Sequence, residues 1–230
     1  MAAIRSDIIS CEEEERGIQG YEITSHYSPQ TQRQKHLIIE INNQPILHLH
    51  YEHNGRITTI NHGNRTKRDN KIRIQPFQYC SACHSWLSGK GLREHFDSES
   101  SSRCKSNGEP DDIIRDAWIL MEGNHDVIQL DVSKPEEVFE NLSYYTTLKE
   151  AILQAIIRTF HLDENEIDAF TVPNPENKEL YRIIIYEVEE GGLGILDALT
   201  RNEQLLKALF KNALDVLHID PDTLKEKDEL

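Results

Sequence analysis

The sequence predicts an α+β protein, with a sheet-rich N-terminal portion carrying a zinc knot and a smaller αβα unit after it. Three observations point there. Short apolar runs alternate with polar turns through the first 76 residues; a Cys-x-x-Cys pair at Cys80 and Cys83 is followed by His95 and Cys104; and two stretches of helical apolar spacing flank a continuous apolar run in the second half. A chain of 230 residues accommodates one compact unit or two small ones. The pattern divides it into a β-rich segment over residues 1–110, with the knot at 80–104, and an α/β unit over residues 111–230.

Taken in order, Leu37–Ile41 and Ile46–Leu49 read as strands of a small antiparallel sheet. Asn54 and Gly55 separate the apolar runs 47–51 and 57–60, and an Asn-Gly pair favours the positive φ of a tight hairpin. Residues 63–70 read as a basic loop and residues 97–107 as a serine-rich, mobile stretch. Beyond a polar break at 108–112, Asp111, Asp112 and Asp116 read as a soluble helix start rather than a metal cage, and Val127–Val132 as a further strand.

Thr147 and Glu150 have the spacing of a capping box, so an amphipathic helix is expected over 147–160, burying Leu148, Ile152, Ala155 and Ile156 on one stripe. Pro173 and Pro175 interrupt the chain before a strand over 180–188, whose unbroken Ile183–Tyr186 core implies burial on both faces. Gly191, Gly192 and Gly194 turn the chain into a last helix over 203–218.

Four features bear on chemistry. Cys80 and Cys83 can bind one tetrahedral ion through a tight turn, and His95 with Cys104 completes a Cys3His set at a span suited to a small structural zinc site. His84 is the alternative to His95, disfavoured because it adjoins Cys83; Cys11 reads as a lone thiol. The glycine turn follows a strand, where backbone amides can cradle a phosphate, but no Lys-Ser/Thr pair follows as in a Walker loop, and positive φ with close packing is the simpler reading. His48, His50, His53 and His62 show no metalloprotease spacing and no neighbouring nucleophile, so they read as a sheet face and turn, and a hydrolase is disfavoured.

Charge divides the chain. The net charge is -15, yet residues 31–73 hold eight basic against three acidic side chains, a local balance of +5, whereas residues 107–230 balance at -17. Only the first half can approach a phosphate backbone, through Arg56, Arg65, Lys67, Arg68, Lys71 and Arg73. Met1–Ser10 lacks the pattern of a signal peptide, and no apolar run reaches the ~20 residues that span a bilayer. Residues 227–230 spell an endoplasmic-reticulum retrieval signal, an address read only in the lumen. The expected location is cytoplasmic, where disulfides are rare, so the cysteines are read as metal ligands or inert thiols.

Several strings together resemble a known arrangement: Ile9–Tyr21, Ile57–Arg65 with its Ile60–Gly63 core, Phe77–Cys83, Thr147–Phe160 and Tyr186–Leu199. They look like the MrfA-like zinc-binding domain, and the segment before it, of superfamily 2 DEAD/DEAH-box helicases in DNA repair and DISARM-type phage defence. The resemblance is most specific over Glu187–Leu196 and the final helix through His218. It implies a non-catalytic accessory module working with a separately encoded motor, or a remnant of a truncated gene, with a helicase motor subunit, neighbouring repair or defence proteins, and DNA as candidate partners. Two departures stand out: no Walker loop or DEAH box is present, and the cysteine cluster that follows the position of His218 in the family is missing. The competing expectation is a protein-interaction scaffold whose acidic second half meets a basic partner without touching nucleic acid.

Overall fold

The computed structural model describes residues 19–30, 35–41, 43–68, 71–87, 95, 104, 112–133, 141–175, 177 and 180–227. The fold is α+β. The described strands are β1 (Gln19–Ser28), β2 (Lys35–Ile41), β3 (Gln44–Arg68), β4 (Lys71–Gln75), β5 (Phe77–Cys80), β6 (Ser85–Leu87), β7 (Ile113–Ala117), β8 (Ile119–Val132), β9 (Ile167–Pro173) and β10 (Tyr181–Glu187). The described helices are α1 (Asn141–Phe160), α2 (Ile195–Arg201) and α3 (Glu203–Val216). One sheet has the order β1-β3-β8-β10-β9, with β2 and β4 also paired to β3; a second has the order β6-β5-β7. The chain forms two compact units, one from residues 1–25 and 59–121, the other from 26–58 and 122–230.

The larger unit holds its sheet between two apolar layers. Strand β10 lies between β8 and β9, antiparallel to both, with Ile184 opposite Gln129 on one side and Phe170 on the other. Ile183 and Ile185 join the core formed with Ile152 and Ile156 of α1 and Leu206 and Leu209 of α3. Ile184 and Tyr186 turn to the opposite face and pack with Ile57 and Val127. Burial on both faces explains why this strand is apolar without alternation.

Several local expectations are overturned here. Asn54 and Gly55 do not reverse the chain: β3 runs straight through them. Asn54 does take the left-handed conformation, at φ 64. The chain is not folded back, and the alternation slips by one residue across this stretch, as an extra residue in a strand makes it do. Leu47, Leu49 and Tyr51 therefore face the helices, whereas Ile57, of the same parity, packs on the other side. Gly55 is needed for close approach, because a Cβ there would lie 2.9 Å from both Tyr27 Cε2 and Val127 Cγ2.

Helix α1 begins before Thr147, which is an exposed interior position rather than a cap. Tyr145 draws the helix N-terminal, being fully buried and donating its hydroxyl to the Val132 carbonyl at 2.9 Å. Strand β9 and helix α2 were not anticipated. Asp112 and Asp116 border or lie in strand β7 rather than opening a helix, and Asp111 is outside the described residues. The last helix is confirmed over Glu203–Val216, capped by Asn202, whose side chain accepts the N–H groups of Gln204 and Leu205.

The smaller unit contains the β3–β4 hairpin, joined through Pro76 to the β6-β5-β7 sheet. Residues 63–68 and 71–75 form this hairpin in place of the expected basic loop, with Asn64 opposite Gln75 and Arg68 opposite Lys71. Its buried apolar cluster consists of Cys80, Leu87 and Ile113, with Ala82, Cys83 and Cys104 packed alongside. The serine-rich stretch 97–107 lies outside the described residues apart from Cys104.

Candidate metal centre and basic hairpin

Strand β5 delivers Cys80 fully buried at its end, and the turn 81–84 brings Cys83 back beside it. Ser81 secures the turn, its backbone N–H and hydroxyl both donating to the Asp112 carbonyl, at 2.9 and 3.0 Å. His84 then takes a left-handed φ of 60 and pairs its Nδ1 with the Tyr79 hydroxyl at 2.8 Å. The imidazole that lies among the thiols is that of His95.

Ligand atoms of Cys80, Cys83, His95 and Cys104 all lie within 4.8 Å of one another. Cys80 Sγ is 3.6 Å from Cys104 Sγ, and His95 Nε2 is 3.6 Å from Cys83 Sγ and 3.1 Å from Cys104 Sγ. Zinc–ligand bonds of about 2.3 Å to sulfur and about 2.0 Å to nitrogen place tetrahedral ligands roughly 3.5–3.8 Å apart. The four side chains can therefore hold a metal ion with little rearrangement. Burial pushes the Cys80 thiol up, reinforced by its sulfur neighbours Cys104 and Cys83 and offset by nearby backbone N–H groups. A bound cation would supply the charge that favours the thiolate.

The basic residues divide between the sheet faces. Arg65 is opposite Ile74, Thr66 opposite Arg73 and Arg68 opposite Lys71, which puts Arg65 on one face and Lys71 and Arg73 on the other. Arg65, Lys71 and Arg73 are exposed, and Arg65 Nε lies 3.4 Å from Glu22 Oε2. The side chains of Lys67 and Arg68 are outside the described ones. Arg56 is exposed on the segment of β3 belonging to the other unit.

The glycine turn has a resident anion. Glu187, fully buried, accepts the backbone N–H groups of Leu193, Gly194 and Leu196, the last two at 3.0 and 2.7 Å. Gly191, Gly192 and Gly194 all have positive φ. These amides are thus occupied by the chain's own carboxylate, in keeping with a packing role for the glycines. His48, His50, His53 and His62 lie on strand β3, and none joins a metal-competent group among the described residues. His53 Nδ1 lies 2.5 Å from Asp126, and His50 is held below the ordinary imidazole value by burial and by His36.

A set of aromatic side chains beside the knot escaped the sequence reading. Tyr21, Phe77, Tyr79 and Trp86 form ring contacts on the smaller unit, Tyr79 and Trp86 at 5.0 Å between centroids. The visible signal was the Phe77-Gln78-Tyr79 alternation with Trp86 a few residues on, but only strand pairing brings Trp86 opposite Tyr79.

Fold and site together define an α+β protein with a Cys3His cluster able to hold a metal ion. No family model and no curated protein matches the chain. Among solved structures it is similar to the DUF1998 helicase MrfA, crystallised bound to DNA, with a TM-score of 0.47 and 11% identity over 93% of this chain. The chain spans 24% of that helicase chain. Among the described residues, no helix is long and apolar enough to cross a membrane.

Proposed function

We propose that this chain is a zinc-stabilised, non-enzymatic accessory module of a DNA helicase, cytoplasmic, helping a motor carried elsewhere to dock on DNA. The observation that carries the reading is the succession of two features in one compact unit: a basic hairpin whose strand β4 is followed, after Pro76, by the strand that ends in Cys80. Zinc is the ion that three thiolates and an imidazole select, and four protein ligands close its coordination sphere, so its role is structural. Clamping 80–104 fixes the root of the hairpin, which presents exposed cations at Arg65, Lys71 and Arg73. The sequence resemblance to the tail of superfamily 2 helicases supplies the motor as partner.

Fluorescence anisotropy with short labelled single- and double-stranded oligonucleotides, read between about 50 and 200 mM salt, tests the reading. Binding should weaken steeply with salt, and Arg65→Glu, Lys67→Glu and Arg68→Glu together should lower the slope by roughly three. Binding that is unchanged by the triple reversal would remove the hairpin from the interface. Absence of binding to either form would favour the second reading, in which the acidic residues of 107–230, balancing at -17, receive a basic protein partner.

A further inference from the structure

At the root of the hairpin, within the smaller unit, lies a cleft of about 260 Å³. Three rings, Tyr21, Phe77 and Trp86, and the carboxamides of Asn64, Gln75 and Gln78 line it. Its volume is below the roughly 300–1,000 Å³ of drug-sized sites, so it suits one flat ring system. Trp86 is 55% exposed although it packs edge-on to Phe77 at 6.0 Å, leaving ring surface open. The Gln78 Oε1 atom is buried and has no hydrogen-bond partner among the described residues. Native structures seldom leave such an acceptor unmatched. Gln78 shares the Leu87 side of the strand pair rather than the Trp86 side, so the carboxamides available to an occupant of the ring side are those of Asn64 and Gln75.

Rings for stacking, carboxamides for an edge carrying donors and acceptors, and an adjacent cationic hairpin describe a ligand that is flat, hydrogen-bonding and attached to an anionic backbone. We infer that this cleft receives one unstacked base of single-stranded DNA, stacked against Trp86, with the Asn64 and Gln75 carboxamides meeting its polar edge while the hairpin holds the flanking phosphates. Stacking of this kind is tolerant of sequence. Asn64 and Gln75 face each other in the first pair of the hairpin, on the same face as Arg73 and Lys71, which places the cleft where a strand tracking those two cations arrives. The inference rests on the docking reading and adds to it a preference for single strands.

The test uses the full zinc-loaded chain with oligodeoxycytidylate and an abasic oligonucleotide of equal phosphate count. The cytosine strand should bind about tenfold or more tightly than the abasic one. Trp86→Ala should abolish that difference, and Asn64→Ala should reduce it. In a Trp118→Phe background Trp86 is the remaining tryptophan of two, and its fluorescence should be quenched by the cytosine strand and not by the abasic one. That readout leaves Trp86 intact, so it holds even should Trp86→Ala fail to fold. Equal, salt-sensitive binding of both strands would overturn the base pocket and leave hairpin docking standing; no binding of either would overturn both. Quenching by a proline-rich peptide and not by the cytosine strand would make the cleft a peptide groove and overturn the proposal.

Discussion

The Glu187 carboxylate accepts the backbone N–H of Leu196 at 2.7 Å, reaching from the end of β10 into the first turn of α2. The same side chain also takes the N–H groups of Leu193 and Gly194. A buried carboxylate is tolerated when hydrogen bonds replace its hydration, and left-handed glycines aim successive amides inward to provide them. Truncation would leave three donors without this acceptor, that of Leu196 buried. Glu187→Ala should destabilise the fold by roughly 3 kcal/mol, with Glu187→Gln costing less because one acceptor oxygen survives. Urea midpoints measure both; a truncation that leaves the midpoint unmoved would show that the cradle is not needed.

The metal cluster makes a stoichiometric prediction. Purified under reducing conditions, the chain should carry one zinc ion, and cobalt exchanged into the site should show the absorption of tetrahedral thiolate ligation. Cys80→Ser or Cys104→Ser should lose the ion and lower thermal stability, while His84→Ala and Cys11→Ser retain it. Elemental analysis of these four variants is sufficient, and loss of zinc from the His84 variant would redraw the ligand set. Chelation should loosen the smaller unit most, since its buried apolar cluster among the described residues, Cys80, Leu87 and Ile113, contains one of the ligands itself.

Strand β3 offers a paired comparison. At Gly55 an added Cβ would meet Val127 and Tyr27 at 2.9 Å, so Gly55→Ala should cost about 1–3 kcal/mol by overpacking. At Asn54, with φ 64, Asn54→Gly should be neutral or nearly so, whereas Asn54→Val should destabilise by forcing a branched residue into the left-handed region. A tight hairpin at this pair would instead make Gly55 sensitive through its φ and leave the contact with Val127 irrelevant. Denaturation of the three variants separates the two accounts.

These residues also show where sequence reading succeeds and where it stops. Cys80, Cys83, His95 and Cys104 were legible as a candidate set because tetrahedral ligation asks for such residue types at short spacings, with His95 favoured because His84 adjoins Cys83, and the structure brings the four together and pairs His84 with Tyr79. The apolar run of β10 was legible through its lack of alternation and the stripe of α3 through its helical periodicity. Asn54-Gly55 misled because positive φ serves a bulge as readily as a turn, and only the strand partners decide between them. Thr147 misled because a capping pattern inside a helix looks the same as one at its start, and the deciding contact, Tyr145 to the Val132 carbonyl, joins separate elements. The partner of the glycine turn lay in the preceding strand, where Glu187 read as one more charge at the end of an apolar run.

Two tyrosines give the stability of the larger unit a sharp alkaline limit. Tyr27 donates its hydroxyl to Glu52, and Tyr51 donates to Asp126 at 2.9 Å. Burial first, and then the carboxylate each one faces, holds both phenols well above the ordinary value of 10.0. In the unfolded chain they return to that value. The folded state therefore binds more protons than the unfolded state above pH 10, and stability must fall as pH rises through that range, while below it the full contribution is present. Neither phenol can ionise in place without setting a second negative charge against a buried carboxylate, since Glu52 and Asp126 are only 1% and 3% exposed. Urea midpoints measured from about pH 8 to pH 11.5 should be flat and then drop, and phenolate absorbance should show tyrosines that titrate only with unfolding. Tyr27→Phe should flatten part of the drop, and Glu52 still keeps the Gln30 N–H at 2.7 Å, so the variant should fold. A midpoint independent of pH across the alkaline range would mean that these hydroxyls are not held against their carboxylates in solution.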